Sequence, residues 1–219
     1  SKSAITYSTT AHAITWDVKV DTKNQAYGGN LRVLDLLVYG TGSFDWSSIT
    51  AASSNPATTT SLAALTLDQI KALQLTQQYN QKYIDGTFKD LNHTGLELTI
   101  YTLKAGGEAV ADLLVVTEAD GEALNHQKVH EFSYKSLITN PNIYASNKSN
   151  TLYNTAALFS GTDSKATITG NKQVSSNMLK KNASEFNYLD KTADFTITVN
   201  ENGLTDATND VTNTDGLTL

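Results

Sequence analysis

The sequence predicts an all-β sandwich with one inserted helix, followed by the start of a second sandwich of the same kind. Three observations predict it. Short segments of apolar–polar alternation recur along the chain, glycine-containing turns separate them, and the opening of the chain is written twice.

Taken in order, strands are expected at 14–20 (ITWDVKV), 31–38 (LRVLDLLV), 96–103, 109–117, 128–134, 152–159, 166–169 and 193–199, with Lys2 at the head of a still earlier strand. Gly28-Gly29-Asn30, Gly40-Thr41-Gly42, Ala105-Gly106-Gly107 and Asp120-Gly121 supply the turn chemistry between them. One helix interrupts the pattern. Thr66 and Gln69 form a capping box, Leu67, Ile70, Leu73 and Leu75 give an apolar face, and Gly86 suits the position after the last turn. Residues 47–65 are rich in Ser, Thr and Ala and read as a loop, so 47–90 is expected as an insertion. Residues 160–180 are polar, with little apolar periodicity after Ile168. The domain junction is therefore expected near 165–178, with a first domain over 1–170 and the N-terminal part of a second over 171–219.

The repeat defines that second unit. Residues 2–35 begin KSAITYSTTAHAITWDVKV and residues 181–215 begin KNASEFNYLDKTADFTITV. In each a Lys (Lys2, Lys181) is followed at the same spacing by an aromatic (Tyr7, Phe186) and then by a matching alternating run, Trp16–Val20 or Phe195–Val199. An Asp closes each unit, Asp35 and Asp215, offset by one residue. The second copy reads as truncated, its remaining strands expected beyond Leu219.

Composition excludes several classes. The net charge is −6 and no basic stripe exists, so a nucleic-acid partner is not expected. No run of 18 apolar residues is present, so no membrane-spanning helix is expected. Cysteine is absent, which removes disulfides, thiolate metal sites and Cys nucleophiles. Ser1 reads as the start of a fragment, so the absence of a signal peptide from the sequence carries little weight.

Lys2, Asp35 and Asn154 call for a joint reading. In a strand of period two, Asp35 shares a face with Val33 and Leu37, and Asn154 shares one with Leu152 and Ala156. Those faces are the expected core, and a buried polar group left unpaired costs about 2–7 kcal/mol. One resolution is that the three groups meet and react. Burial lowers a Lys pKa and raises an Asp pKa. The neutral amine is then a nucleophile, and the protonated Asp can donate a hydrogen bond to the Asn carboxamide. Attack at Cγ expels ammonia and leaves a Lys–Asn isopeptide bond. Effective molarities of roughly 10⁵ M or more can replace an external catalyst. The alternative is that Asp35 caps a turn and Asn154 bonds to backbone.

The pattern K…Y…ITWxVxV…VxDxL…YxNTAxL resembles the Ig-like modules of Gram-positive surface adhesins of the collagen-binding type. The resemblance covers residues 1–165 as a whole module and 175–219 as a partial one. It implies an Ig-like β-sandwich of inverse-IgG topology, strung in tandem with further modules of the same protein. It also implies secretion and anchoring to the cell wall through a region outside this chain. It implies an intramolecular isopeptide bond between Lys2 and Asn154 assisted by Asp35, with Lys181 and Asp215 as the equivalents in the second module. Such a protein is not an enzyme beyond its own cross-linking, uses no cofactor or metal, and has a host extracellular-matrix protein or a glycan as candidate partner.

Ligand contacts are expected on the 47–90 insertion, with Trp46, Tyr79, Tyr83 and Phe88 as candidates. The alternative is that the helix only caps the sandwich. His126 and His130 lie about 13 Å apart if both are on one strand, too far for one ion. The acidic stretch 200–210 lacks the spacing of a calcium loop. Two competing functions stay open. One is a carbohydrate-binding sandwich, which needs an exposed aromatic platform from Tyr79, Tyr83, Phe88, Tyr101 and Tyr144. The other is a pilus or surface-layer subunit completed by a neighbouring chain.

Overall fold

A computed structural model describes residues 1–23, 31–42, 49–53, 78–119, 124, 127–144, 149–161, 163–174 and 179–199. The chain is an all-β sandwich of two antiparallel sheets, followed by a separate two-stranded sheet. The elements in order are β1 (Lys2–Ser8), β2 (Ala13–Asp21), β3 (Leu31–Val38), β4 (Ile49–Ser53), β5 (Gln81–Tyr83), β6 (Lys89–Asp90), β7 (Leu96–Ala105), β8 (Glu108–Glu118) and β9 (Val129–Ile138). A one-turn helix α1 (Pro141–Tyr144) then precedes β10 (Asn150–Ser160), β11 (Asp163–Val174), β12 (Leu179–Ala183) and β13 (Phe195–Val199).

One sheet has the order β1-β2-β9-β5, with β6 also pairing β9; the other has the order β11-β10-β3-β8-β7-β4. Their facing sides enclose the main core, which includes Ile14, Trp16, Val18, Val33, Leu37, Leu114, Phe132, Tyr134, Leu152 and Ala156. Strand β3 is buried along its whole length because its other side packs into a second cluster with Leu34, Leu36, Tyr101, Leu113 and Phe159. A central strand covered on both faces reads as a near-continuous apolar run, as LRVLDLLV does. Gly106 and Gly107 form the two-residue link between β7 and β8, both at positive φ (59° and 90°), as a hairpin turn of this length requires.

Each of the eight expected strand segments is matched by an observed strand, several of them longer than the alternation suggested. Three expectations change. Strand β11 runs to Val174, which is fully buried in the main core, so the first sandwich extends past residue 170. Only 166–169 is expected from the sequence, because the polar, exposed register hides the rest: an edge strand presents mostly solvent-facing side chains. The segment 47–90 is woven into both sheets. β4 pairs β7 at one sheet edge, while β5 and β6 pair β9 in the other sheet. Most of the expected helix after Thr66 lies outside the described residues, but its C-terminal end does not continue as helix. Residues 81–83 are strand, and Gly86 (φ 74°) lies in the turn after it. The one helix among the described residues is α1.

Candidate functional site: a buried Lys–Asp–Tyr–Asn cluster

The cluster forms where the first strand of the chain passes over β11, the edge strand of the opposite sheet. β1 brings Lys2, β3 brings Asp35, β9 brings Tyr134 and β10 brings Asn154. Alternation aims Asp35 and Asn154 into the main core with Val33, Leu37, Leu152 and Ala156. Lys2 reaches them because β1 passes over β11 at Gly170. A Cβ there would stand 3.2 Å from the Lys2 carbonyl oxygen and 3.4 Å from its Cγ. Gly170 is also the register partner of Asn154. Glycine inside a strand often marks such a close approach of backbones.

The Lys2 amine donates to Asn154 Oδ1 at 2.7 Å, to the Tyr134 hydroxyl at 2.7 Å and to Asp35 Oδ2. The Tyr134 hydroxyl donates to Asp35 Oδ2 and accepts from Asn154 Nδ2 at 2.9 Å. All four residues are buried, the Lys2 side chain and Asn154 completely. The Lys2 amine also lies 5.6 Å from the centroid of the Trp16 ring and 5.3 Å from that of Tyr134. Trp16 is held in turn by donating from Nε1 to Ser136 Oγ at 2.8 Å.

The electrostatics follow from burial. Desolvation lowers the Lys2 pKa against the opposing pull of Asp35. Desolvation raises the Asp35 pKa, opposed by Lys2 and Tyr134. Both shifts favour moving the proton from the amine to the carboxylate, giving a neutral nucleophile and a carboxylic acid. Burial, with Asp35 beside it, raises Tyr134 well above its ordinary value, so its hydroxyl stays protonated. Chemically, the cluster places an amine, an acid and a carboxamide in contact inside an apolar shell.

Sequence reasoning found Lys2, Asp35 and Asn154 and missed Tyr134 and Gly170. The hydrogen bond expected from Asp35 to the Asn154 carboxamide is not formed. Asp35 Oδ2 contacts Lys2 and Tyr134, and its buried Oδ1 has no hydrogen-bond partner. The Tyr134 hydroxyl stands between acid and amide.

The remaining candidates lie elsewhere. Lys181, on β12, is exposed, with its amine 4.3 Å from the Phe195 ring centroid. Asp215 and Trp46 lie outside the described residues. Tyr83 is only 6 % exposed, and Phe88 packs on the main core 5.7 Å from Phe132. Tyr79 packs partly buried against the second cluster. Tyr83 and Phe88 are therefore packing residues and not exposed contacts; β5 and its following turn lie against the core, where aromatic rings fill space. Tyr101 is buried as well, and Tyr144 stacks on His12 at 3.7 Å. His130 is buried with Nδ1 3.1 Å from Thr94 Oγ1, and His126 is outside the described residues. No group of three metal-binding side chains occurs among the described residues, and no described helix is long and apolar enough to cross a membrane.

A second buried acid shows what a purely structural Asp looks like in this core. Asp112 accepts from the Tyr39 hydroxyl at 2.6 Å, from Thr102 Oγ1 at 3.2 Å and from the Tyr83 backbone N–H at 3.1 Å. It has donors on both oxygens and neither an amine nor a carboxamide among these partners. No protein-family model matches the chain, and no curated protein matches it.

Proposed function

We propose that the chain is a module of a bacterial cell-surface adhesin or stalk, stabilised by an isopeptide bond that it forms autocatalytically between Lys2 and Asn154. The observation that carries this reading is the buried contact of the Lys2 amine with the Asn154 carboxamide at 2.7 Å, beside Asp35. A Lys wholly withdrawn from water is costly as an ion, even when paired. Conversion to an amide removes the charge and leaves a neutral product that suits the core. Asp35 takes the proton that frees the amine, and the fold holds the pair in place of a bimolecular encounter.

Intact mass under denaturing conditions tests it. The protein should be lighter than its sequence by one ammonia, about 17 Da, with Lys2 and Asn154 joined in one tryptic fragment. An unreduced mass overturns the reading. The hairpin β12–β13 is read as the start of a second module. Its exposed Phe186, Phe195 and Ile197 leave an apolar surface for further strands of the same protein to cover. It should add no second loss of ammonia within this chain.

A carbohydrate-binding role is less supported, since Tyr83 and Tyr101 are buried and Phe88 and Tyr144 are packed against neighbours. The pilus or surface-layer alternative shares the exposed hairpin and is distinguished by concentration-dependent assembly. A host matrix protein or glycan is the proposed partner class of the adhesin. Binding of the purified chain to immobilised matrix proteins and glycans tests that part separately.

A further inference from the structure

We propose that Tyr134 is a catalytic residue of the cross-linking reaction, carrying a proton from Asp35 to the departing amide nitrogen of Asn154. This rests on the reading that Lys2 and Asn154 react. Among the described residues, the Tyr134 hydroxyl is the group in contact with all three partners. It stands 2.7 Å from the Lys2 amine and 2.9 Å from Asn154 Nδ2, and donates to Asp35 Oδ2.

The reaction needs a proton to reach the leaving group. A neutral amine attacking Cγ forms the Nζ–Cγ bond and gains positive charge, while Oδ1 takes the electron pair of the carbonyl. Breaking the Cγ–Nδ2 bond requires that Nδ2 accept one proton, so that ammonia leaves and not an amide anion. The nitrogen that must lose a proton is Lys2 Nζ, which touches Asp35. The nitrogen that must gain one is Asn154 Nδ2, which Asp35 does not touch. Tyr134 joins the two. As Nζ gives its proton to Asp35 Oδ2, the protonated acid passes one to the Tyr134 oxygen, and the phenol delivers its own to Nδ2. The carbonyl re-forms, ammonia departs, and Asp35 and Tyr134 end as they began the step. Every atom and proton is accounted for without an outside reagent.

Two further observations favour this route. The space beside Asp35 and Tyr134 is lined by the apolar side chains of Val33, Leu114, Val116, Phe132 and Ala156, so the polar side chains of the cluster are the groups placed to move the proton there. A packing role alone would also be met by Phe, without the cost of taking a hydroxyl out of water.

The test uses the whole chain made in a short cell-free pulse, quenched in acid at intervals and weighed intact. Wild-type protein should show the ammonia loss, and Tyr134→Phe should slow it by about 100-fold or more, the scale of a general acid–base contribution. Fluorinated tyrosines at position 134 keep the ring and change only the acidity of the phenol. The rate should follow that acidity, a response that a packing role does not produce, and this arm stands even if the Phe variant fails to fold. Equal rates for wild type and Tyr134→Phe, or a rate indifferent to fluorination, overturn the role of Tyr134 and leave the cross-link in place. Absence of any loss in the wild type overturns the cross-link itself, and this role with it.

Discussion

The hairpins β1–β2 and β12–β13 are built alike and end in different places. Lys2 pairs across the ladder with Val18, and Lys181 pairs with Ile197, sixteen residues on in both cases. The two spacings match in sequence, so the repeat is also a repeat of register. In both, the amine lies near an aromatic of the second strand: 5.6 Å from the Trp16 ring in one, 4.3 Å from the Phe195 ring in the other. Yet Lys2 is buried among Asp35, Tyr134 and Asn154, while Lys181 is exposed and its aromatic is 57 % exposed. The hairpin alone therefore positions a lysine without burying it. The change in its surroundings comes from the opposite sheet, which removes water and supplies the acid and the carboxamide.

The largest test of that difference removes each lysine in turn. Lys2→Ala or Asn154→Ala should abolish the mass deficit. Either should also lower the melting temperature by roughly 10–20 °C, because closing a loop across 152 positions is worth about 5 kcal/mol on the chain-entropy model. Lys181→Ala should leave both mass deficit and melting temperature unchanged. Equal effects from Lys2 and Lys181 would break the comparison.

Removing the acid comes next. Asp35→Ala should fold but form the bond slowly or not at all, as intact mass over days will show. Its stability should then depend on pH in a definite direction. Desolvation holds the free Lys2 amine below its ordinary 10.5, and the opposing pull of Asp35 is gone. The unfolded chain then binds that proton more tightly than the folded one, so stability should rise as pH increases from 7 towards 10. Urea midpoints across that window measure it. A flat or falling profile would mean that Lys2 is not buried in the variant.

Gly170→Ala has no counterpart at the second hairpin and should have a smaller effect. The added methyl meets the Lys2 backbone at 3.2 Å, so β1 must shift by a few tenths of an ångström. Overpacking of this kind costs about 1–3 kcal/mol. The cross-link should form more slowly, in time courses of intact mass, because the amine is displaced from the carboxamide. Trp16→Phe should do least. It makes the first hairpin match the second, and loses the bond to Ser136 and some packing, about 1–3 kcal/mol. The cross-link should still form, and only the urea midpoint should fall.

Much of this was legible in the sequence, for physical reasons. Alternation located the strands, because a half-buried sheet forces period two on its side chains. It also placed Asp35 and Asn154 on core faces, and the repeat singled out Lys2. What could not be read was pairing. VADLLVV around Asp112 looks as apolar as VLDLL around Asp35, and only the partners separate a satisfied structural acid from one facing an amine. Tyr134 reads as an ordinary core aromatic. Its role depends on standing opposite Trp16 in the ladder and across the core from Asn154, which no local pattern encodes. Gly170 did carry a signal, as a lone glycine just beyond the expected strand 166–169, but the polar register of β11 obscured how far the strand runs.

The positions of the two bonded residues also decide how the module would answer to tension. Lys2 is on the first strand and Asn154 on the second-to-last strand of the sandwich. With the bond in place, a pull entering near Ser1 and leaving through β11 would cross from one strand to the other through a single side-chain link. The intervening loop, about 500 Å of chain if drawn out at roughly 3.4 Å per residue, would carry no load. Such a module could lose its fold under strain without lengthening by that amount, and could regain it when the force is released.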